Sequence, residues 1–280
     1  MSPPVFLARP GDMLGEMLAE PACLTIAQLM QSQPWRLELT HDRPHHLLLW
    51  VTRGQGRATV MGVRRGVGAH NALFIPAGTL MSFTLAPQSF GQAVLFPPGM
   101  GLNWPKIPAH LRVRDVRFQA EFTGLIDSLQ HELASKLRHR DEALNAQVAL
   151  MSVWFRRQFD ETRVPDPNTP SQALVMKFAS LVSRDYATGR SMSDLAEELG
   201  VTPTHLTRTC RANCGKTAAD LLTERLLYQS RILLGTHGPT ARDISEYLGF
   251  GSPAYFSRFI LQHTGKTPGQ LRARIRQTAG

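Results

Sequence analysis

The sequence predicts a two-domain α+β fold: an antiparallel β-barrel or sandwich with a helical hairpin, then a separate all-α domain. Three observations carry this expectation. The chain has 280 residues, which at about 150 per domain makes two domains. Short apolar runs punctuated by glycine fill residues 35–96. A helical pattern repeats itself after residue 190. With 42% hydrophobic residues the chain can bury real cores, which excludes a wholly disordered protein. No run reaches the ~18 apolar residues of a membrane helix. The first residues lack a basic stretch followed by an apolar one, so a non-secreted, cytoplasmic protein without membrane partners is expected. Three cysteines, an odd number, exclude a closed disulfide framework.

The elements follow in order. Trp35–Thr40 alternates apolar and polar, and Leu47–Thr52 is a buried-type run. Gly54-Gln-Gly56 is a turn, and further strands are expected at Arg57–Val63, Ala72–Pro76, Met81–Leu85 and Gln92–Phe96. From Phe118 to Phe159 the period changes. Ile126, Leu129, Leu133 and Leu137 recur at helical spacing, as do Leu144, Val148, Met151 and Phe155, with a corner near Arg138–Asp141. The apolar stripe of this hairpin packs on its own barrel or on a second chain. Arg163–Ser171 holds three prolines in nine residues and reads as a linker that excludes a helix. The expected division is therefore 1–116 barrel, 117–162 hairpin, 163–171 linker and 172–280 helical domain.

The net charge of +9 is unevenly spread. Residues 171–280 carry 14 Lys/Arg against 8 Asp/Glu, whereas residues 1–170 carry 17 against 14. An anionic partner for the C-terminal region is implied.

That region contains a repeat. Ser191–Gly200 matches Thr240–Gly249 at an offset of 49 residues: a hydroxyl three before Asp, a branched apolar residue, a small one, Glu, and a closing Leu-Gly. Hydroxyl and aspartate form a capping-box variant, and glycine supplies the left-handed turn. At an offset of 50, Thr202-Pro203 matches Ser252-Pro253, Leu206 matches Phe256, Arg208 matches Arg258, and Gly215-Lys-Thr217 matches Gly265-Lys-Thr267. The one-residue change falls in the turn. Each unit is thus a capped helix, a glycine turn and a second capped helix with proline at its first position. Leu206 and Cys210 face inward in the first unit, and Phe256, Phe259 and Ile260 in the second. The outer faces offer Pro203, Thr204, His205, Thr207, Arg208 and Arg211, then Ser252, Ala254, Tyr255, Ser257, Arg258 and Gln262. Hydroxyl, guanidinium and amide groups on one helix face suit base edges and phosphates, so double-stranded DNA is the expected partner. Ala218–Leu234 reads as one helix linking the units, about 25 Å long.

At these residues the chain resembles the AraC/XylS family of transcription regulators. Leu195-Ala-Glu-Glu-Leu-Gly200, Ile244-Ser-Glu-Tyr-Leu-Gly-Phe250, Tyr255-Phe-Ser-Arg-Phe259 and Gly265-Lys-Thr-Pro268-Gly-Gln-Leu-Arg272 carry the resemblance. It implies a tandem helix-turn-helix domain that activates transcription through RNA polymerase, a homodimer, and an N-terminal cupin-like barrel that takes a small effector, mediates dimerisation, or both. Two positions depart from the pattern: Ala218, where the family often has proline, and Gln229, where it has a small residue. Gly68, Pro76 and Gly78 resemble the second cupin motif. The positions of the cupin metal ligands hold His41, Arg43, His46 and Met81, a set that serves a hard divalent metal poorly, so no metal or other cofactor is expected. His41, Arg43, His46, Trp50, Met81 and Phe83 are the candidate effector-binding residues. A cupin-type metalloenzyme with a nucleic-acid-binding appendage is the alternative. Arg53-x-x-x-Arg57 resembles the first half of a cyclic-dinucleotide motif whose second half is absent. Cys210 and Cys214 read as inert. No serine nucleophile elbow, zinc-protease motif or phosphate loop is present, so no catalytic residues are assigned.

Overall fold

The computed structural model describes residues 19–30, 33–158 and 169–277. Its N-terminal region contains β1 (Ala22–Thr25), α1 (Ile26–Met30), α2 (Trp35–Glu38), β2 (His46–Arg53), β3 (Gln55–Val60), β4 (Val63–Gly68), β5 (Asn71–Ile75), β6 (Met81–Leu85), β7 (Phe90–Phe96) and β8 (Ala109–Arg112). The hairpin is α3 (Val116–Ala134) and α4 (Arg140–Gln158). Seven further helices follow: α5 (Pro170–Asp185), α6 (Met192–Glu198), α7 (Pro203–Cys214), α8 (Ala218–Gly235), α9 (Ala241–Tyr247), α10 (Pro253–Thr264) and α11 (Pro268–Gln277).

The strands form two antiparallel sheets, ordered β1-β7-β2-β5-β8 and β4-β3-β6, so the cupin-like barrel is present but not closed. Strand alternation splits the five-stranded sheet between two cores. Leu48, Trp50, Phe74, Val94, Phe96 and Leu111 face the hairpin, where they meet Phe122, Ile126, Leu129, Val148, Trp154 and Phe155. Leu47, Leu49, Val51, Leu73, Ile75 and Leu95 face the smaller sheet and meet Ala58, Val67, Met81 and Phe83. The apolar stripe of the hairpin is therefore spent on its own barrel.

Several expectations are corrected. Trp35–Thr40 is not a strand: Pro34 sits at φ −53° and starts the short helix α2, which buries Leu37. Six alternating residues also fit one helical turn that lays a single side chain inward. Arg57–Val63 is not one strand but the corner of a hairpin. Val60 pairs with Val63 across Met61 and Gly62, both at positive φ, the two-residue turn that matches strand twist. Gly62 is required there, because a Cβ would come within 2.2 Å of the Val175 side chain on α5. Leu137 lies outside the hairpin core, 75% exposed, since α3 ends at Ala134. The linker stretch does admit a helix at its end: Thr169 caps α5 and Pro170 opens it, where proline's missing N–H costs nothing. Residues 163–168 lie outside the described residues.

The helical region has two cores that share α8. Val175, Phe178, Leu195, Leu206 and Cys210 meet Ala218 and Leu221, while Ile244, Phe256, Ile260, Leu271 and Ile275 meet Leu227, Leu233 and Leu234. The N-terminal region docks on the same helix. Leu80 joins the first helical core. Thr40 donates its N–H (3.0 Å) and hydroxyl (2.5 Å) to Glu224, which also pairs with Lys216. His41 stacks on Tyr228 with ring centroids 4.3 Å apart. Asp42 pairs with Arg225, a fully enclosed guanidinium that also lies 3.7 Å over the Tyr186 ring and donates to Gln229.

Candidate nucleic-acid interface

The two exposed helices α7 and α10 are built alike from their caps outward. Thr202 accepts a hydrogen bond from the His205 N–H, and Ser252 accepts one from the Tyr255 N–H, each at 3.2 Å. Proline follows in both, and both end on a left-handed glycine, Gly215 at φ 79° and Gly265 at φ 67°. The preceding helices α6 and α9 start with full capping boxes, Ser191 with Asp194 and Thr240 with Asp243. Gly200 and Gly249, both at positive φ, turn the chain into α7 and α10. Local chemistry alone thus fixes where each exposed helix begins and ends.

Leu206, Cys210 and Cys214 bury one side of α7; Phe256 and Ile260 do so on α10, with Phe259 partly buried beside them. None of the twelve residues expected to face DNA is buried. Thr207, Ser252 and Ser257 are half-buried, and the other nine are exposed. Neither helix contains a carboxylate. Some arginines elsewhere in this region are neutralised: Arg184 and Arg190 by Asp185 and Glu198, Arg242 by Glu246. Among the described residues Arg208, Arg211 and Arg258 form no salt bridge, so their charge is available to a ligand. Tyr255, Arg258, Phe259 and Gln262 also border a groove of about 790 Å³ whose other wall is Leu222 and Leu226 of α8.

Both departures from the family pattern now have reasons. Ala218 is the first residue of α8 after the Thr217 cap, a position where proline is tolerated but not needed. Gln229 is buried and its side-chain oxygen accepts from Arg225. Burial pushes the Cys210 thiol up to about 12, with Cys214 adding to it, which keeps it protonated and unreactive.

The six candidate effector residues do not share one cavity. Trp50 lies in the hairpin-side core and its indole N–H donates to Thr123 at 3.3 Å. His46 is wedged between the Phe74 and Phe96 rings and accepts from the Ala77 N–H. Met81 and Phe83 fill the inter-sheet core. His41 is sealed at the junction with α8, and the Arg43 carbonyl accepts from the Gly78 N–H. The expectation of convergence treated the strands as lining one barrel interior, whereas alternation sends His46 and Trp50 to the opposite face from Met81 and Phe83. No three His, Cys, Asp or Glu side chains gather as metal ligands among the described residues.

A different cavity is present. It measures about 930 Å³ and is bordered by Arg57, Asn71, Leu85, His110 and Arg112, with Gly66 and Gly68 on β4. His110 donates from Nε2 to the Asn71 side-chain oxygen at 2.7 Å. Burial, reinforced by the charge of Arg65, holds its imidazole down to about 4, so it is neutral near pH 7. Sequence reasoning missed His110 and Arg112 because β8 carries too short a pattern to be recognised. Arg57 was visible as half of a motif.

Residues 195–274 match the family described as Helix-turn-helix domain. The Msm operon regulatory protein of Streptococcus mutans serotype c is 20% identical over 118 residues, a match that spans 42% of this chain and 42% of that relative's length. Among solved structures, ToxT from Vibrio cholerae O395 is 12% identical, covering 91% of this chain and 97% of that one at a TM-score of 0.41. An AraC-type transcriptional regulator from Chromobacterium violaceum is 27% identical over 38% of this chain and 96% of that one, at a TM-score of 0.34. No helix among the described residues is long and apolar enough to cross a membrane.

Proposed function

We propose, from the match of residues 195–274 to a helix-turn-helix domain and from the resemblance of the repeated motifs to the AraC/XylS family, that this chain is a sequence-specific DNA-binding transcription regulator. The observation that carries the reading is the pair of equivalent, capped helices whose outer faces hold unpaired arginines and no acid. α7 and α10 enter successive major grooves, with Arg208 and Arg258 in equivalent positions. The region of residues 1–116 receives a small effector, 117–162 supports it, and 172–280 reads DNA. The protein acts in the cytoplasm as an activator, as a homodimer in contact with RNA polymerase, and performs no catalysis.

The test is selection of bound duplexes from a random pool by the full-length protein, followed by a salt titration of the selected site. A log–log slope near −0.9 per phosphate neutralised is expected. Failure to enrich any sequence at low salt would refute the reading.

A further inference from the structure

The N-terminal strands carry a charge that their fold does not require. Residues 43–114 hold eight Lys/Arg and no Asp/Glu, so all fourteen acids of residues 1–170 lie outside this stretch. Seven of the eight cations are exposed, and none of them forms a salt bridge among the described residues. Like charges gathered without local neutralisation repel one another and project a positive field, which an anionic partner relieves.

Register places two of these cations on one surface. In the three-stranded sheet Ala58 and Phe83 turn inward to the inter-sheet core, so Arg57, opposite Gly66 and Thr84, turns outward. Thr59 and Arg64, an opposed pair two residues along, share that outer face. Arg57 and Arg64 are therefore diagonal neighbours about 7–8 Å apart, close to the spacing of successive phosphates on one DNA strand. Gly66 and Gly68 of β4 belong to the same face, and a Cβ at either meets nothing within 4 Å, so the face is flat and open there. Guanidinium and hydroxyl groups on a flat surface suit a phosphate backbone, whereas base edges require an element that enters a groove.

Packing fixes this face beside the DNA-facing helix α7. Met61, in the β3–β4 turn, packs on the first helical core, and Gly62 lies against Val175 of α5. β4 itself packs against α7. A Cβ at Gly215, the residue that closes α7, would stand 3.1 Å from the Arg64 guanidinium. Thr204, Arg208, Arg211 and Gly215 follow at steps of four, three and four, which makes them one stripe along the helix. Arg64 extends that stripe past the helix end. The carboxylates at the start of α8 are engaged elsewhere: Asp220 accepts from the Thr217 N–H, and Glu224 pairs with Lys216. The helix dipole favours a cation at the α7 C-terminus, which accounts for Arg64 but not for Arg57.

We propose that the outer face of the small sheet is a second DNA-binding surface, on which Arg57 and Arg64 hold phosphates of the duplex flanking the half-site of α7, without base readout. The inference rests on the DNA-binding reading and extends it, because the N-terminal region then lengthens the footprint on one side only.

The experiment is a salt titration of the full-length protein on its selected site, with about ten flanking base pairs on both sides or trimmed flush on either one. Arg57→Gln and Arg64→Gln should each lower the log–log slope by about 0.9, one phosphate, and the double variant by about 1.8. Affinity for selected and scrambled duplexes should fall by the same factor, since phosphates carry no sequence. Arg57→Lys and Arg64→Lys keep the charge and should keep most of the native slope, which separates a lost phosphate contact from a disturbed α7 end. Trimming one flank should remove from the native chain the slope that the double variant lacks, and should leave the double variant unchanged. Arg114→Gln removes one of the same eight charges near His70, beyond the far end of β4, and should bind as the native chain does. The inference is overturned if the glutamine variants keep the native slope, and loss of transcription activation in that case assigns the face to an acidic protein surface. It is overturned equally if Arg114→Gln loses as much slope as they do. A native chain that binds no duplex at low salt overturns the regulator reading as well, whereas an unaltered slope in the variants overturns only this inference.

Discussion

Arg225 is a buried charge held by three partners, and removing Asp42 should destabilise the junction between the two regions. Its side chain is 3% exposed and pairs with Asp42, whose side chain is 18% exposed. In Asp42→Ala the guanidinium keeps the Tyr186 ring at 3.7 Å and the Gln229 oxygen at 3.0 Å but loses its counter-charge. Breaking a buried pair by deleting one partner costs about 3–5 kcal/mol. At about 2–4 °C per kcal/mol for a unit of this size, the melting midpoint should fall by roughly 6–20 °C. Asp42→Asn keeps an acceptor and exchanges a charged hydrogen bond for a neutral one, so its cost should be about 1–2 kcal/mol. Scanning calorimetry on both variants gives the values. The double variant Asp42→Ala with Arg225→Met completes the cycle. Replacing both partners by apolar groups removes the stranded charge, so the double should be more stable than the sum of the singles predicts. An Asp42→Ala shift under about 2 °C, or strict additivity in the cycle, would refute the argument that this pair locks the junction.

Three further outcomes follow from the same structure. Arg208→Ala and Arg258→Ala should each weaken binding to a selected site by about 1–3 kcal/mol if bidentate to guanine, measured against a base-substituted duplex; wild-type affinity in both folded variants contradicts the assigned face. Inserting five base pairs between half-sites rotates one by about half a turn and should abolish simultaneous engagement, and an insertion of about ten should abolish it too, because it carries one half-site about 34 Å beyond the reach of a rigid helix; undiminished binding to either duplex in a mobility-shift titration argues against rigid tandem reading. Burial first, then the charge of Arg43, holds the His41 imidazole well below 6.5. The unfolded chain therefore takes up a proton that the folded chain refuses, and stability should decline as pH falls below about 6.5, by at most about 1.4 kcal/mol per pH unit for this group. His41→Phe, which keeps the stack on Tyr228, should flatten that slope in urea unfolding compared at pH 7.5 and 5; an unchanged slope counts against the assignment.

The helical half was legible because its signals are local. A hydroxyl cap, an aspartate three residues on and a closing glycine act within one turn, and a repeat at offsets of 49 and 50 shows each signal twice. The barrel was legible only as a class. Leu47–Thr52 and Met81–Leu85 declare themselves as strands, but the sequence does not say which sheet takes them or that Trp50 and Phe83 enter different cores. Those facts depend on register between distant strands. The effector set failed for this reason: its residues were gathered by motif position, and alternation scattered them over two cores and the domain junction. Trp35–Glu38 failed for another, since its partner is Tyr228, almost two hundred positions away, and a propensity reading has no access to that contact.

The linking helix α8 connects the N-terminal region to both exposed helices, α7 and α10. At about 100° per residue its eighteen positions present three faces. Glu224, Arg225, Tyr228 and Arg231 meet the N-terminal region. Leu221, Leu227 and Leu234 enter the cores of the two units. Ala219, Leu222 and Leu226 border the groove shared with Tyr255 and Arg258. Gln229, the departure from the family pattern, belongs to the first of these faces through its bond to Arg225, so the sequence spends an unusual residue on the junction rather than on DNA. Both units hang on one rigid segment whose back is held by Asp42, Thr40 and His41. A displacement of residues 40–42 therefore acts on both units through a single helix, and β6, which extends the 39–43 loop through the His41–Met81 bridge, belongs to the same three-stranded sheet as β4.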